Sequence, residues 1–271
     1  MMHLGLIGHP LGHSLSPKIH TAALKACGLE GEYSLFPIAP EDMQGLKDLL
    51  TRVRGGEIHG LNVTIPHKQN VIPLLDELTP TAQAIGAVNT ISMRNGKLVG
   101  DNTDAPGFLA DLQNFLTTET RSHGERRKAL VLGAGGSARA VVYALVHAGW
   151  DVTLSARRPE QAQALASNYQ LPITNLINPP TFNLLVNTTP LGMTPNVDAS
   201  PWPEHLAFPK DAAVYDLVYN PRETKLVRDA RAQGLPAKTG LGMLIEQAAL
   251  AFEIWTGHRP PREVLFQQVV E

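Results

Sequence analysis

The chain has 271 residues, 43 % of them hydrophobic and 18 % charged, a balance that suits one large or two modest globular domains and excludes a disordered polymer. Its 23 Lys and Arg against 25 Asp and Glu leave a net charge of −2, so binding that rests on neutralising nucleic-acid phosphates is excluded. The single cysteine, Cys27, rules out an intrachain disulfide and a cysteine-rich zinc site.

The opening MMHLGLIGHP has neither a basic flank nor a long apolar run, so no signal peptide is expected. Residues 4–8 (LGLIG) read as a buried strand closed by a glycine turn. A helix is expected over 18–27, where Ile19, Ala22, Ala23 and Ala26 recur at helical spacing and Gly28 is a stop. Then come a strand at 33–38, a helix at 40–54 and a strand at 60–65. An extended run at 88–93 turns at Asn95-Gly96 into 97–100, which is a hairpin signal. Strands separated by helices predict a mainly parallel sheet with that hairpin as its exception.

A helix begins near Ala105. The polar run 117–128 (TTETRSHGERRK) then reads as an exposed loop between domains. Beyond it the alternation is cleaner: strand 129–132, helix 137–148, strand 151–155, helix 159–168, and strands at 183–187 and 212–217. The proline-rich segment 190–205 reads as a surface loop. Two helices close the chain, at 241–255 and 261–270. The first is interrupted by Glu246, Gln247 and Glu253 and is too polar to cross a bilayer. Together these features predict a cytoplasmic protein.

The stretch VLGAGGSARA carries G-x-G-x-x-A directly after a strand and at the start of a helix. Gly133 permits the tight turn, Gly135 lets backbone approach a pyrophosphate, and Ala138 lets the helix pack closely on the strand. The N–H groups of Ala134, Gly136 and Ser137 then face an anion at a helix start. An NAD site would put Asp or Glu at the end of the second strand, whereas this chain has Ala156-Arg157-Arg158. Two guanidiniums without a carboxylate suit a 2′-phosphate, which predicts NADP. The alternative is a solvated basic turn.

Three earlier segments are denser in polar groups than strand-end loops require. In HPLGHSLSPKIH, Ser14 and Ser16 precede a helix, and either could cap it or bind a substrate carboxylate; capping is the simpler reading. In NVTIPHK, Asn62 and Thr64 alternate with apolar neighbours and so share a face. Lys68 falls in the first turn of a helix, where its charge opposes the macrodipole; it is either a solvated surface group or awaits a partner. In GDNTDAPGF, Asp104 ahead of Pro106 fits an ordinary N-cap. A functional reading needs Asp104 and Lys68 to meet. No metal site is expected, because His9, His13 and His20 lack a carboxylate partner and a helical pairing. No G-x-S-x-G elbow is present, and Cys27 reads as a packing residue.

In order, SLSP, NVTIPHK, GAVNT, DNTD, GAGGSARA, NTTPLGM, DLVYNP and GLGMLIEQAA resemble the shikimate dehydrogenase family over nearly the whole chain. The resemblance implies an α/β fold of two domains with a cleft between them. A mainly parallel substrate domain is formed by 1–104 with 239–271, and a Rossmann-like NADP domain by 105–238. It implies NADPH-dependent, reversible reduction of 3-dehydroshikimate to shikimate in aromatic amino-acid biosynthesis. Lys68 and Asp104 match the catalytic pair, and Ser14 and Ser16 the holders of the substrate carboxylate. Thr64, Asn89, Asp104 and Gln247 match the binders of the ring hydroxyls, with Asn62 assisting. Asn187, Thr188, Tyr219, Gly240 and Met243 match the wall around nicotinamide and substrate. On helical spacing alone Gln247 reads better as a surface residue.

Where the family often has Asn-Arg-Thr after the second Rossmann strand, this chain has Ala156-Arg157-Arg158, which keeps one arginine and loses the amide and hydroxyl. Where the family often reads His-Asn, it has His20-Thr21. The expected partners are a small-molecule substrate, with neither nucleic acid nor membrane, and a homodimer is left open. Two rival readings stand beside this one. One is a quinate/shikimate dehydrogenase using NAD or NADP; the other is a catalytically silent NADP-binding regulator, which would have no use for Lys68, Asp104 and the serine pair together.

Overall fold

The computed structural model describes residues 1–119, 127–176 and 179–270. The chain divides into two compact units, Met1–Gly107 with Ile245–Glu271, and Phe108–Leu244.

The first unit runs β1 (Met2–Gly8), α1 (Ser16–Ala26), β2 (Gly31–Pro37), α2 (Met43–Arg54), β3 (Gly60–Val63), α3 (His67–Asn70), β4 (Glu77–Leu78), α4 (Pro80–Ile85), β5 (Thr90–Arg94) and β6 (Lys97–Asp101). Its six strands lie in the order β2-β1-β3-β5-β6-β4. The pairs β1/β2, β1/β3 and β4/β6 are parallel, while β5 runs antiparallel to β3 as well as to β6. Five strands therefore run one way and β5 alone is reversed, so the hairpin is the exception expected of it, felt in both of β5's pairings. Leu61, Val63, Ile91 and Leu98 from these strands, with Val88 just before β5, bury against Leu46, Leu49, Leu50 and Val53 of α2, an apolar helix stripe on a sheet face.

Several expected boundaries move, each for a local reason. Helix α2 starts at Met43 rather than residue 40, since the Asp42 carboxylate caps it by accepting from the Gly45 N–H at 2.8 Å. Neither Ser14 nor Ser16 is the N-cap of α1; that position is Leu15, which makes no side-chain cap, and Ser16 is the first helical residue. The short α4 carries readable signals that periodicity misses: Thr79 caps it, Pro80 opens it and Gly86 closes it in the left-handed conformation.

Between the units' sheets in the chain runs α5 (Asp104–Glu119), so residues 117–119 of the expected polar loop are helical, and its residues 120–126 lie outside the described residues. The second unit continues β7 (Lys128–Leu132), α6 (Gly136–His147), β8 (Asp151–Ser155), α7 (Pro159–Ser167), β9 (Leu184–Asn187), β10 (Ala213–Asp216), α8 (Lys225–Ala232) and β11 (Ala237–Thr239). Helices α9 (Leu241–Thr256) and α10 (Arg262–Val270) follow. All four pairings of its sheet, in the order β11-β10-β9-β7-β8, are parallel. This is a Rossmann-like arrangement. The loop 190–205 is not wholly superficial, for Trp202 is buried between Phe182 and Phe208. Helix α8 and β11 escape sequence reading because the first is largely polar and the second only three residues long.

Candidate active site

The two residues 36 positions apart in sequence meet. Lys68 Nζ donates to Asp104 Oδ2 at 2.5 Å, with side chains 11 % and 6 % exposed. Lys68 is carried on α3, whose backbone is fixed by the Val88 N–H donating to the Lys68 carbonyl at 2.7 Å. Its neighbour His67 is fully buried, with Nε2 2.7 Å from the Ile38 carbonyl oxygen. Because a carbonyl only accepts, Nε2 carries the proton, and the ring pins α3 to the segment after β2.

Asp104 is not the N-cap expected of it. Asn102 takes that role: its Oδ1 accepts from the N–H groups of Asp104 and Ala105 at 3.1 and 3.3 Å. That leaves the Asp104 carboxylate at the amino end of α5, where the helix dipole favours an anion, and free of capping duty to take Lys68.

Asn89 is the hub. Its Nδ2 lies 2.9 Å from Thr103 Oγ1, 2.9 Å from Asp104 Oδ1 and 3.3 Å from Gln247 Oε1. Its Oδ1 accepts from the Thr103 N–H at 2.8 Å. Gln247 reaches this point from α9 because Gly107 of α5 has no side chain there; a Cβ on Gly107 would sit 2.7 Å from the Gln247 nitrogen. Lys68, Asn89, Asp104 and Gln247 are thus brought together. Thr103 is buried in the same network, and as one polar residue among four in DNTD it gives no sign in sequence of which face it takes.

The other first-unit candidates are placed differently. Asn62 is buried and its amide is held by the protein, accepting from Tyr33 Oη at 2.8 Å and donating to the Asn89 carbonyl at 3.3 Å. Thr64 and Ser14 are half-buried and Ser16 is buried. Ser14 Oγ accepts from the Ser16 N–H at 3.2 Å.

Tyr33 lies flat on His20, ring centroids 4.4 Å apart and planes 3° from parallel. Among the described residues neither His20 nitrogen meets a partner at hydrogen-bond distance, and burial lowers its pKa from 6.5 to about 3, outweighing the Asn62 amide, which raises it. The folded state therefore requires neutral imidazole. Stability is fully present above 6.5 and is lost as pH falls toward about 3, by about 1.4 kcal/mol per pH unit. His20→Phe is expected to remove that slope, so urea unfolding across the acid range separates the variant from the parent; parallel stability–pH curves would refute the assignment.

In the second unit the glycine turn after β7 has the shape a diphosphate needs. Gly133 has φ +116°, and a Cβ on it would lie 2.4 Å from Thr188 Oγ1. Gly135 is exposed, has open space around it and opens α6 without a side-chain cap, while Ala138 is fully buried under the sheet. Ala134 is buried, and Gly136 and Ser137 are half-buried. Ala156 is half-buried at the end of β8, followed by the exposed Arg157 and Arg158. These features fit a dinucleotide whose phosphates lie on the turn and whose ribose carries a further charge.

Asn187 is fully buried, and its amide is bonded within the protein to Asp216, Thr189 and the Leu191 carbonyl. Thr188 is half-buried and donates to the Leu132 carbonyl at 2.7 Å. Tyr219 is half-buried, and desolvation pushes its phenol up. A Cβ on Gly240 would lie 2.5 Å from the Leu217 carbonyl oxygen, so that turn admits only glycine, and Met243 is buried. Among the described residues no group of three His, Cys, Asp or Glu is placed to hold a metal ion, and no helix is long and apolar enough to cross a membrane.

Residues 6–91 match the shikimate dehydrogenase substrate binding domain, and residues 240–269 the shikimate 5′-dehydrogenase C-terminal domain. The chain is 42 % identical to a shikimate dehydrogenase (NADP(+)) of Salinibacter ruber, over 96 % of this chain and 94 % of that one. Its fold is similar to that of shikimate 5-dehydrogenase from Thermus thermophilus, solved in complex with NADP(H) and shikimate. The TM-score is 0.89 at 42 % identity, covering 99 % of this chain and 98 % of that one. Quinate dehydrogenase from Corynebacterium glutamicum, in complex with NAD, is similar at TM-score 0.87 and 33 % identity, covering 99 % and 98 %.

Proposed function

The chain belongs to the shikimate dehydrogenase family, and we propose that it catalyses the reversible, NADPH-dependent reduction of 3-dehydroshikimate to shikimate in aromatic amino-acid biosynthesis. The observation that carries this reading is the buried Lys68–Asp104 pair at 2.5 Å, with Asn89 and Gln247 around it. When bound, NADPH supplies the hydride that adds to the carbonyl carbon.

The chain's own part is the proton and the electrostatics. The Lys68 ammonium faces the ketone oxygen, stabilises the negative charge that grows on it and passes its proton there, leaving a hydroxyl. In the oxidative direction the neutral amine takes the hydroxyl proton. Asp104 aims Lys68 and accepts from a substrate hydroxyl. Thr64, Asn89 and Gln247 bind ring hydroxyls, Asn62 holds Asn89 by its carbonyl, and Ser14 and Ser16 donate to the substrate carboxylate. Gly133 to Ala138 would cradle the diphosphate, Arg157 and Arg158 with Ala156 would meet the 2′-phosphate, Tyr219 would bind substrate, and Thr188, Gly240 and Met243 would line the nicotinamide side. Asn187 acts there by holding its loop. The reading places the enzyme in the cytoplasm, with a small molecule and neither nucleic acid nor membrane as its partner.

The test is nicotinamide absorbance on mixing the protein with shikimate and NADP⁺, then with NAD⁺, and with quinate in place of shikimate. Turnover with shikimate and NADP⁺ well above the other combinations supports the proposal. Faster turnover of quinate favours the rival dehydrogenase, and no turnover with any combination leaves a binding protein. Arg157→Ala is expected to lower the NADP⁺-over-NAD⁺ ratio of kcat/KM by about tenfold, the worth of one charge-assisted contact; an unchanged ratio would move the 2′-phosphate contact elsewhere.

A further inference from the structure

The second unit's sheet reverses its winding at β7, with β8 laid on one side and β9 on the other. In open parallel sheets ligands bind beyond the carboxyl ends of the strands at such a reversal. Two loops leave the sheet there, the glycine turn after β7 and Thr188-Thr189 after β9, and the Thr188 hydroxyl ties the second to the end of β7 at the Leu132 carbonyl. The next strand outward, β10, ends at Asp216, which is fully buried.

Three donors converge on its carboxylate. Oδ1 accepts from Asn187 Nδ2 at 2.8 Å and from the Val218 N–H at 3.0 Å, and Oδ2 accepts from Thr224 Oγ1 at 2.6 Å. The orientation of the Asn187 amide is set by its other end, where Oδ1 accepts the N–H and the hydroxyl of Thr189 at 2.9 and 2.7 Å. Asn187 is thus held by Asp216 and itself holds Thr189, with Thr188 carried between them against the glycine turn. The same carboxylate fixes the peptide leading into Tyr219. Only a group that accepts on both oxygens serves all three donors; an asparagine at 216 would turn an NH₂ toward one of them.

We infer that Asp216 is a positioning residue for the nicotinamide cofactor, fixing through Asn187 the strand-end loop that carries Thr188. This rests on the assignment of NADP to the second unit and deepens it. Burial raises the Asp216 carboxyl to about 6 against the three hydrogen bonds that lower it.

The test is Asp216→Asn, with NADP⁺ affinity read by fluorescence titration and KM values by steady-state kinetics. The inference predicts Kd and KM for NADP⁺ raised about ten- to a hundredfold, the effect of buried donors left unmet. It predicts KM for shikimate at saturating cofactor changed by less than about twofold. A variant with a lower Tm but wild-type NADP⁺ affinity would reduce Asp216 to a structural part and overturn the inference. If Asp216→Asn does not fold, Thr224→Val decides: NADP⁺ binding weakened several-fold supports the inference, and unchanged binding overturns it. A parent protein that binds no NADP⁺ would sink the functional reading and this inference with it. Normal binding by parent and Asp216→Asn alike would sink the inference alone.

Discussion

Lys68→Met is expected to lower kcat for shikimate oxidation by about 10²–10⁴-fold, the usual worth of a positioned general acid or base. KM should change by less than about threefold, because the amine acts mainly as charge develops on the reacting oxygen and not on the ground state. Methionine keeps most of the side-chain volume, so α3 should stay seated through His67 on the Ile38 carbonyl and the Val88 N–H on residue 68. A variant with near-normal kcat would remove Lys68 from the chemistry whatever its KM. One with unchanged kcat and a KM raised more than tenfold would make it a binding group only.

Asp104→Ala should cost both stability and rate. It withdraws the carboxylate from a lysine whose side chain is 11 % exposed, and breaking a buried pair in this one-sided way typically costs about 3–5 kcal/mol. It also takes from Asn89 one of its three Nδ2 contacts. Asp104→Asn keeps the shape and an oxygen for Asn89, so it should lose less stability while still failing to aim Lys68. Urea unfolding paired with kcat distinguishes the two effects. If both variants unfold like the parent, to within about 1 kcal/mol, the pair has too little buried character for the role given to it.

The glycine turn, its helix and the arginines after β8 were readable because each depends on residues a few positions apart, and local sequence controls local backbone. The Lys68–Asp104 contact was only a possibility, since spacing cannot say that a residue of α3 will face the start of α5. What resolved it was a competition hidden in DNTD, where Asn102 and Asp104 could each cap the helix. Asn102 takes the two N–H groups and so releases Asp104. Asn187 shows the reverse. The resemblance implied a place in the nicotinamide wall, while tertiary packing, which NTTPLGM alone does not reveal, buries it and turns its amide to Asp216. Strand β5 shows the same limit at the level of the sheet, because the direction in which it pairs with β3 is decided by the path of the chain between them.

If Lys68 and Asp104 serve one substrate carbon–oxygen bond, a crystal structure of the chain with shikimate bound should place the hydroxyl to be oxidised within hydrogen-bonding distance, about 2.7–3.2 Å, of Lys68 Nζ, with Asp104 bonded both to the lysine and to a hydroxyl of the same ring. A shikimate bound with its carboxylate toward Lys68, or seated away from Asn89 and Gln247, would contradict it.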